Sequence, residues 1–303
     1  MHDIMLCMVL IRGASPVKLL LSVLQSLAFF LLFALIAFPF VMLWSNFAAS
    51  NLPEIADGPI EQLPIEIISA ASAFTAVWLF GLLAKSVRLE SLGLRHRSGA
   101  QFALAGLIIG IALVVLILVT LYVLGVLALN PKYRIEVNLE VIALTAGVTA
   151  NVIAQDVIFF GFMLTLIRKN APEALAVPVL SLLFVGAHAG VFAEPWPIWG
   201  IGSANLFLAG VMLSLAFLRS QTLWLGFGIH TGWNLTQALA SLAVTGRSIG
   251  VGEPPFSLAG PPLLTGGDVG IEASVVSIPA VLLGIVIIII FFKKNPQKNS
   301  EPI

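Results

Sequence analysis

The chain has 303 residues, of which 59% are hydrophobic and only 10% charged, with a mean hydropathy of +1.06; a soluble domain carries about a quarter charged residues, so a water-soluble globular protein is excluded. Fifteen Lys and Arg balance fifteen Asp and Glu, and the basic residues stand singly or in pairs, which leaves no electrostatic footprint for nucleic acid. The single Cys7 excludes an internal disulfide and any multi-cysteine metal site.

Apolar runs follow one another along the whole chain. The first, from Val17 to Trp44, is far longer than the apolar core of a signal peptide and reads as a retained anchor helix, with Pro39 favouring a tilt or kink. Together the runs predict spans near 17–45, 63–84, 101–128, 139–167, 174–193, 200–218, 221–244 and 273–292, each able to cross roughly 30 Å of hydrocarbon. The expected fold is all-α, a polytopic transmembrane bundle of about eight spans. No polar block of domain size interrupts it, so residues 1–303 read as a single membrane domain.

Charge bias sets the orientation. With eight spans and a cytoplasmic amino terminus, twelve Lys and Arg fall inside, from Arg12 and Lys18 to Lys293, Lys294 and Lys298. Only Lys132, Arg134 and Arg247 fall outside, so both termini are expected in the cytoplasm. The connection from Ser86 to Gly99 reads either as a short amphipathic helix at the interface or as a solvated loop anchored by its arginines. The Gly- and Pro-rich stretch from Gly246 to Gly270 is long for a connection, and reads either as disordered or as a cap over the external face.

Three polar stretches interrupt the apolar runs: Asn151 to Phe162, Phe184 to His188, and His230 to Asn234. Asp156 is the only ionisable residue between Glu140 and Arg168, and a carboxyl group inside a membrane span marks function by default. At 1.5 Å per residue, Asp156, His188 and His230 lie roughly 18, 24 and 13 Å from the cytoplasmic ends of their spans, so the three can meet. Phe184 and His188, like His230 and Asn234, are four residues apart and share a helix face. Small residues beside each motif, Gly161, Gly186, Gly190, Gly226, Gly228 and Gly232, allow close helix approach. A carboxylate with a neutral imidazole can take a proton from water, and a second His with an amide can hold an oxyanion, which points to hydrolysis of an apolar substrate. Other readings stay open. A single intramembrane His or Asn can be a packing hydrogen bond, Asn151 can simply bond to Gln155, and Asn205 has no evident partner. Two His and an Asp also make a plausible metal ligand set, although no HExxH pair is present.

These stretches resemble the CPBP family of intramembrane endopeptidases, which includes type II CAAX prenyl proteases and bacteriocin-processing or self-immunity proteins. The family's motifs read Glu-Glu-x-x-x-Arg before a Gly, then Phe-x-x-x-His, then His-x-x-x-Asn or Asp. The second is intact as Phe184 to His188, the third as His230 to Asn234, and Gly161 occupies the place after the first. Leu-Glu-Ser-Leu-Gly-Leu-Arg at 89–95 resembles bacterial members, and the Gly-Ile-Glu-Ala-Ser stretch ending at Ser274 resembles a subset of them. The motif-bearing core is about 139–244.

The resemblance implies a membrane endopeptidase of a bacterial plasma membrane that works without a cofactor, cutting a lipidated or transmembrane peptide. In the family, the first Glu and the second-motif His activate water, while the third-motif His and Asn form the oxyanion hole. The candidate catalytic residues are then Asp156, His188, His230, Asn234 and Gln155. The first motif departs from the pattern: Gln155 stands at the first Glu position, Asp156 at the second and Phe160 at the Arg position. Gln155 cannot accept a proton as the Glu would, and Asp156 points about 100° further round the helix. The alternative implied is a pseudoprotease that binds apolar segments as a membrane scaffold or immunity protein.

Overall fold

The computed structural model describes residues 15–292, apart from 56–57, 85–86, 88, 135, 248–250 and 252–253. His2, Cys7, Arg12, Lys85, Arg88, Lys293, Lys294 and Lys298 lie outside the described residues.

Each predicted span has a helix at its position. These are α1 (Pro16–Asn51), α2 (Pro59–Ala84), α3 (Gly99–Val123), α4 (Leu139–Arg168), α5 (Glu173–Ala187), α6 (Ile198–Ser220), α7 (Leu223–Leu239) and α8 (Ser277–Phe291). Five of them, α1 to α4 and α6, are long and apolar enough to cross a membrane. The fold is thus the expected all-α bundle of apolar helices, with three of the eight shorter than the rest among the described residues. α5 stops at Ala187 because His188 leaves helical geometry at φ −101°, ψ 50°, and α7 stops at Leu239, just before the left-handed Ser241. With 15, 17 and 15 residues, α5, α7 and α8 rise about 22–26 Å. α1 continues through Pro39 as one helix.

The tightest crossing is α3 against α7. A Cβ on Gly228 would lie 2.1 Å from the Ala103 carbonyl oxygen, and one on Gly110 would lie 2.2 Å from that of Ile229. Gly106 and Gly232 meet the facing backbone just as closely. Only glycine fits at these positions, and this contact fixes the depth and rotation of the helix that carries the third motif. The other small residues do less: a Cβ on Gly186 would meet nothing within 4 Å.

The described parts of both connections pack against the rest of the structure. Residues 89–92 form one 3-10 turn with Leu92 buried. The Gly93 carbonyl accepts from Thr222 Oγ1 (2.7 Å) and the Leu94 carbonyl from Trp224 Nε1 (2.8 Å). Residues 89–94 are thus docked onto the α6–α7 corner. At the opposite end, β1 (Leu127–Leu129) pairs antiparallel with β2 (Phe256–Leu258), with Leu127 opposite Leu258. With the short turns up to Ala273 they cover this end of the bundle as a cap.

Candidate active site

Asp156 closes the α-helical part of α4, and the next seven residues, Val157–Met163, form a π-helical turn. Such bulges shift the helix face by about one residue and recur at functional sites. Within it, Phe162 stacks on Phe29 (centroids 3.9 Å) and meets Phe80 edge-on (5.3 Å). Phe160 lies against Phe159 and Phe184. The position where the family carries Arg is thus wholly apolar.

A cavity of about 480 Å³ lies between α1, α2, α4, α5, α6 and α7. Gln155, His188, His230 and Asn234 all line it; Asp156 does not. Its carboxylate sits behind His230, 1% exposed, with Oδ1 2.9 Å from His230 Nδ1 and Oδ2 buried without a protein partner. Asp156 therefore reaches the cavity only through the imidazole.

His188 is held in a comparable way. Its Nδ1 lies 2.7 Å from the Phe184 carbonyl oxygen, and its ring leans on the Phe184 ring with centroids 4.4 Å apart. A carbonyl accepts but does not donate, so Nδ1 carries the hydrogen and Nε2 keeps a free lone pair. An ionised Asp156 imposes the same tautomer on His230. Phe184 also contacts the His230 ring, at 6.3 Å between centroids, so one buried aromatic fixes both imidazoles. Asn234 follows one turn beyond His230 on the same wall.

Gln155 is committed elsewhere. Its Nε2 donates to Asn151 Oδ1 (2.6 Å), and Asn151 Nδ2 donates to Glu66 Oε2 (2.7 Å). That chain fixes both amides and leaves Gln155 Oε1 as a buried acceptor without a donor. Asn205 Oδ1, also on the wall, is buried and unpartnered too.

Two carboxylates on the wall were not among the sequence candidates. Glu66, in α2, accepts from Asn151 and from Arg247 Nη1 (3.4 Å). Glu272, in the cap, accepts from Trp233 Nε1 (2.8 Å), Gln237 Nε2 (3.2 Å), Thr245 N (2.9 Å) and Thr245 Oγ1 (2.7 Å). With four donors on two oxygens it is a clamp rather than a base. The only signal for Glu272 was its Gly-Ile-Glu-Ala-Ser setting, and Glu66 had none beyond lying in an apolar run. Among the described residues, no three His, Cys, Asp or Glu side chains come together as a metal ligand set.

Residues 137–236, from just before α4 to near the end of α7, match the sequence model of a family described as type II CAAX prenyl endopeptidase Rce1-like. No curated protein matches the chain.

Proposed function

We propose, from a chain whose residues 137–236 match the model of a family described as type II CAAX prenyl endopeptidase Rce1-like, that this protein is a multi-pass endopeptidase of a bacterial plasma membrane. Its substrate is a lipidated or transmembrane peptide. In this reading the pair His230–Asp156 replaces the missing first-motif carboxylate as the base that activates water.

The observation that carries the reading is the 2.9 Å contact between Asp156 Oδ1 and His230 Nδ1 on a cavity wall. An ionised Asp156 fixes the tautomer, turns Nε2 toward the cavity and stabilises the imidazolium formed when water gives up its proton; the same division of labour recurs in Asp–His pairs on unrelated folds. Water then adds to the peptide carbonyl. The Asn234 amide, one turn away, is the donor for the developing oxyanion. His188 holds the water through its Nε2 lone pair, and the His230 imidazolium then passes the water's proton to the leaving amine. No cofactor takes part.

A second reading has its own support. Gln155 is locked to Asn151 and Glu66, and Phe160 fills the cation's place with an aromatic ring, so the pocket can bind an apolar segment without cutting it. Purified protein in nanodiscs, given a panel of lipidated peptides, separates the two. The endopeptidase reading expects cleavage that disappears in both His230→Ala and His188→Ala. Binding of the same peptides by all three proteins, with no cleavage by any, supports the scaffold reading instead.

A further inference from the structure

The connections of the bundle fall on two faces. On one, Asn170 Nδ2 donates to Ser22 Oγ (2.8 Å), Thr222 Oγ1 to the Gly93 carbonyl (2.7 Å) and Arg219 Nη1 to the Ile289 carbonyl (3.3 Å). On the other, Trp44 Nε1 donates to the Glu61 carbonyl (2.9 Å), Asn130 N to the Pro255 carbonyl (2.9 Å) and Asp268 N to Glu194 Oε1 (2.8 Å).

These faces differ in charge. Among the described residues the first carries Lys18, Arg95, Arg97, Arg168, Lys169 and Arg219 against Glu90 and Glu173. The second carries eight acidic side chains, from Glu54 and Glu61 to Asp268 and Glu272, against Lys132, Arg134 and Arg247. By the bias of basic residues toward the cytoplasm, the first face is cytoplasmic and the second external.

The cavity belongs to the second face. The connections that line it are His188–Gly190, Val244–Arg247 and the Glu272 turn, all from that side. Gln62 and Glu66 line it from the first two turns of α2, which begins at Pro59 on the same side. Among the described residues, none from the first face's connections, 87–98, 169–172 or 220–222, reaches it. Arg247, the half-exposed cation at this rim, is already engaged by Glu66 and Gln62.

We infer that the site is served from the external side, and that its substrate is an exported peptide anchored in the outer leaflet with basic residues next to the scissile bond. The acidic face draws the basic flank toward the mouth. The unpartnered Gln155 Oε1 and Asn205 Oδ1 accept from backbone N–H groups of the entering segment, which reach this depth without water to bond to. The inference rests on the endopeptidase reading only for the word substrate; the sidedness stands apart from it.

The test uses the full chain carrying Cys7→Ser, with either Gln62→Cys at the rim or Ser98→Cys on the other face, in intact cells exposed to a membrane-impermeant maleimide. Gln62→Cys is expected to label at once and Ser98→Cys only after permeabilisation. The reverse pattern overturns the inference whatever the protein cleaves. In proteoliposomes sorted for orientation, an acylated peptide with a Lys-rich flank and a photoreactive group should cross-link when added from the Gln62 side. Exchanging its Lys for Glu should lower the yield about tenfold, the low end of electrostatic steering. Equal cross-linking from both sides, or indifference to the flank, also overturns the inference. Correct labelling and cross-linking without any hydrolysis would instead remove the endopeptidase reading and leave the sidedness in place.

Discussion

At the scale of single residues, the site is organised by what each side chain is prevented from doing. His188 and His230 have Nδ1 occupied by a carbonyl and a carboxylate, so both present Nε2. Gln155 has its amide nitrogen occupied by Asn151, so it presents only an oxygen. Phe160 is 1% exposed between Phe159 and Phe184, and this explains why the lost cation cannot simply be reinstated. Phe160→Arg would put an unpaired guanidinium in an aromatic cluster, which costs about 3–5 kcal/mol, as for other buried charges stripped of a partner. The expected outcome is a clear fall in the thermal unfolding midpoint in detergent together with loss of peptide binding; an unchanged midpoint would mean that the cluster has room or an unseen acceptor. The sequence showed which residues are polar within apolar runs, and that was enough to find His188, His230 and Asn234. It did not show that Asp156 stands behind His230 rather than on the wall, because that depends on the rotation of α4 against α7. Nor did it single out Glu66, whose partners lie 85 and 181 residues away in the chain, or Glu272, whose partners lie 27–39 residues away.

At the scale of elements, the α3–α7 crossing sets the position of the third motif. Gly228 and Gly232 flank His230 and seat α7 on the backbone of α3, so the His cannot shift without separating the two helices. Gly228→Ala would bring a methyl group to 2.1 Å from the Ala103 carbonyl oxygen, far inside van der Waals contact. Overpacking of this kind costs about 1–3 kcal/mol, and here it also displaces the face that bears His230 and Asn234. Expected is a lower unfolding midpoint with a loss of activity larger than that of Gly226→Ala, whose added methyl meets nothing closer than 3.7 Å. Comparable behaviour of the two variants in paired unfolding and cleavage assays would contradict the seating argument. The sequence marked both glycines alike as small. Which of them faces a backbone is decided by the partner helix, and α3 carries no polar motif to announce it.

At the scale of the whole molecule, the cap and the bundle are joined at Glu272. Its four donors come from α7 and from the 244–247 turn, so one carboxylate pins the cap onto the helix that bears His230 and Asn234. Glu272→Gln keeps the shape but replaces one acceptor oxygen with a donor, leaving either the Thr245 pair or the Trp233 and Gln237 pair facing an N–H. An unsatisfied buried polar group costs about 1–3 kcal/mol. Faster hydrogen exchange across residues 244–276 is expected, with little change in α1 and α2; uniform exchange would show that the cap is held by other contacts. The length of this stretch suggested a cap or a disordered loop, and its described part pairs as β2 with β1. That pairing joins segments some 130 residues apart, beyond the reach of local sequence patterns.

The central claim is that an imidazole oriented by a buried carboxylate takes over the base function that Gln155 cannot supply. The most direct measurement is the single-turnover cleavage rate of Asp156→Asn in nanodiscs, beside peptide affinity measured on the same sample. Asn keeps the size of the side chain but, with its amide turned toward Nδ1, favours the opposite tautomer of His230. The account predicts a fall of about 10²–10⁴-fold in rate, the contribution of one positioned general base, with peptide affinity unchanged. Cleavage by Asp156→Asn at the natural protein's rate would contradict it.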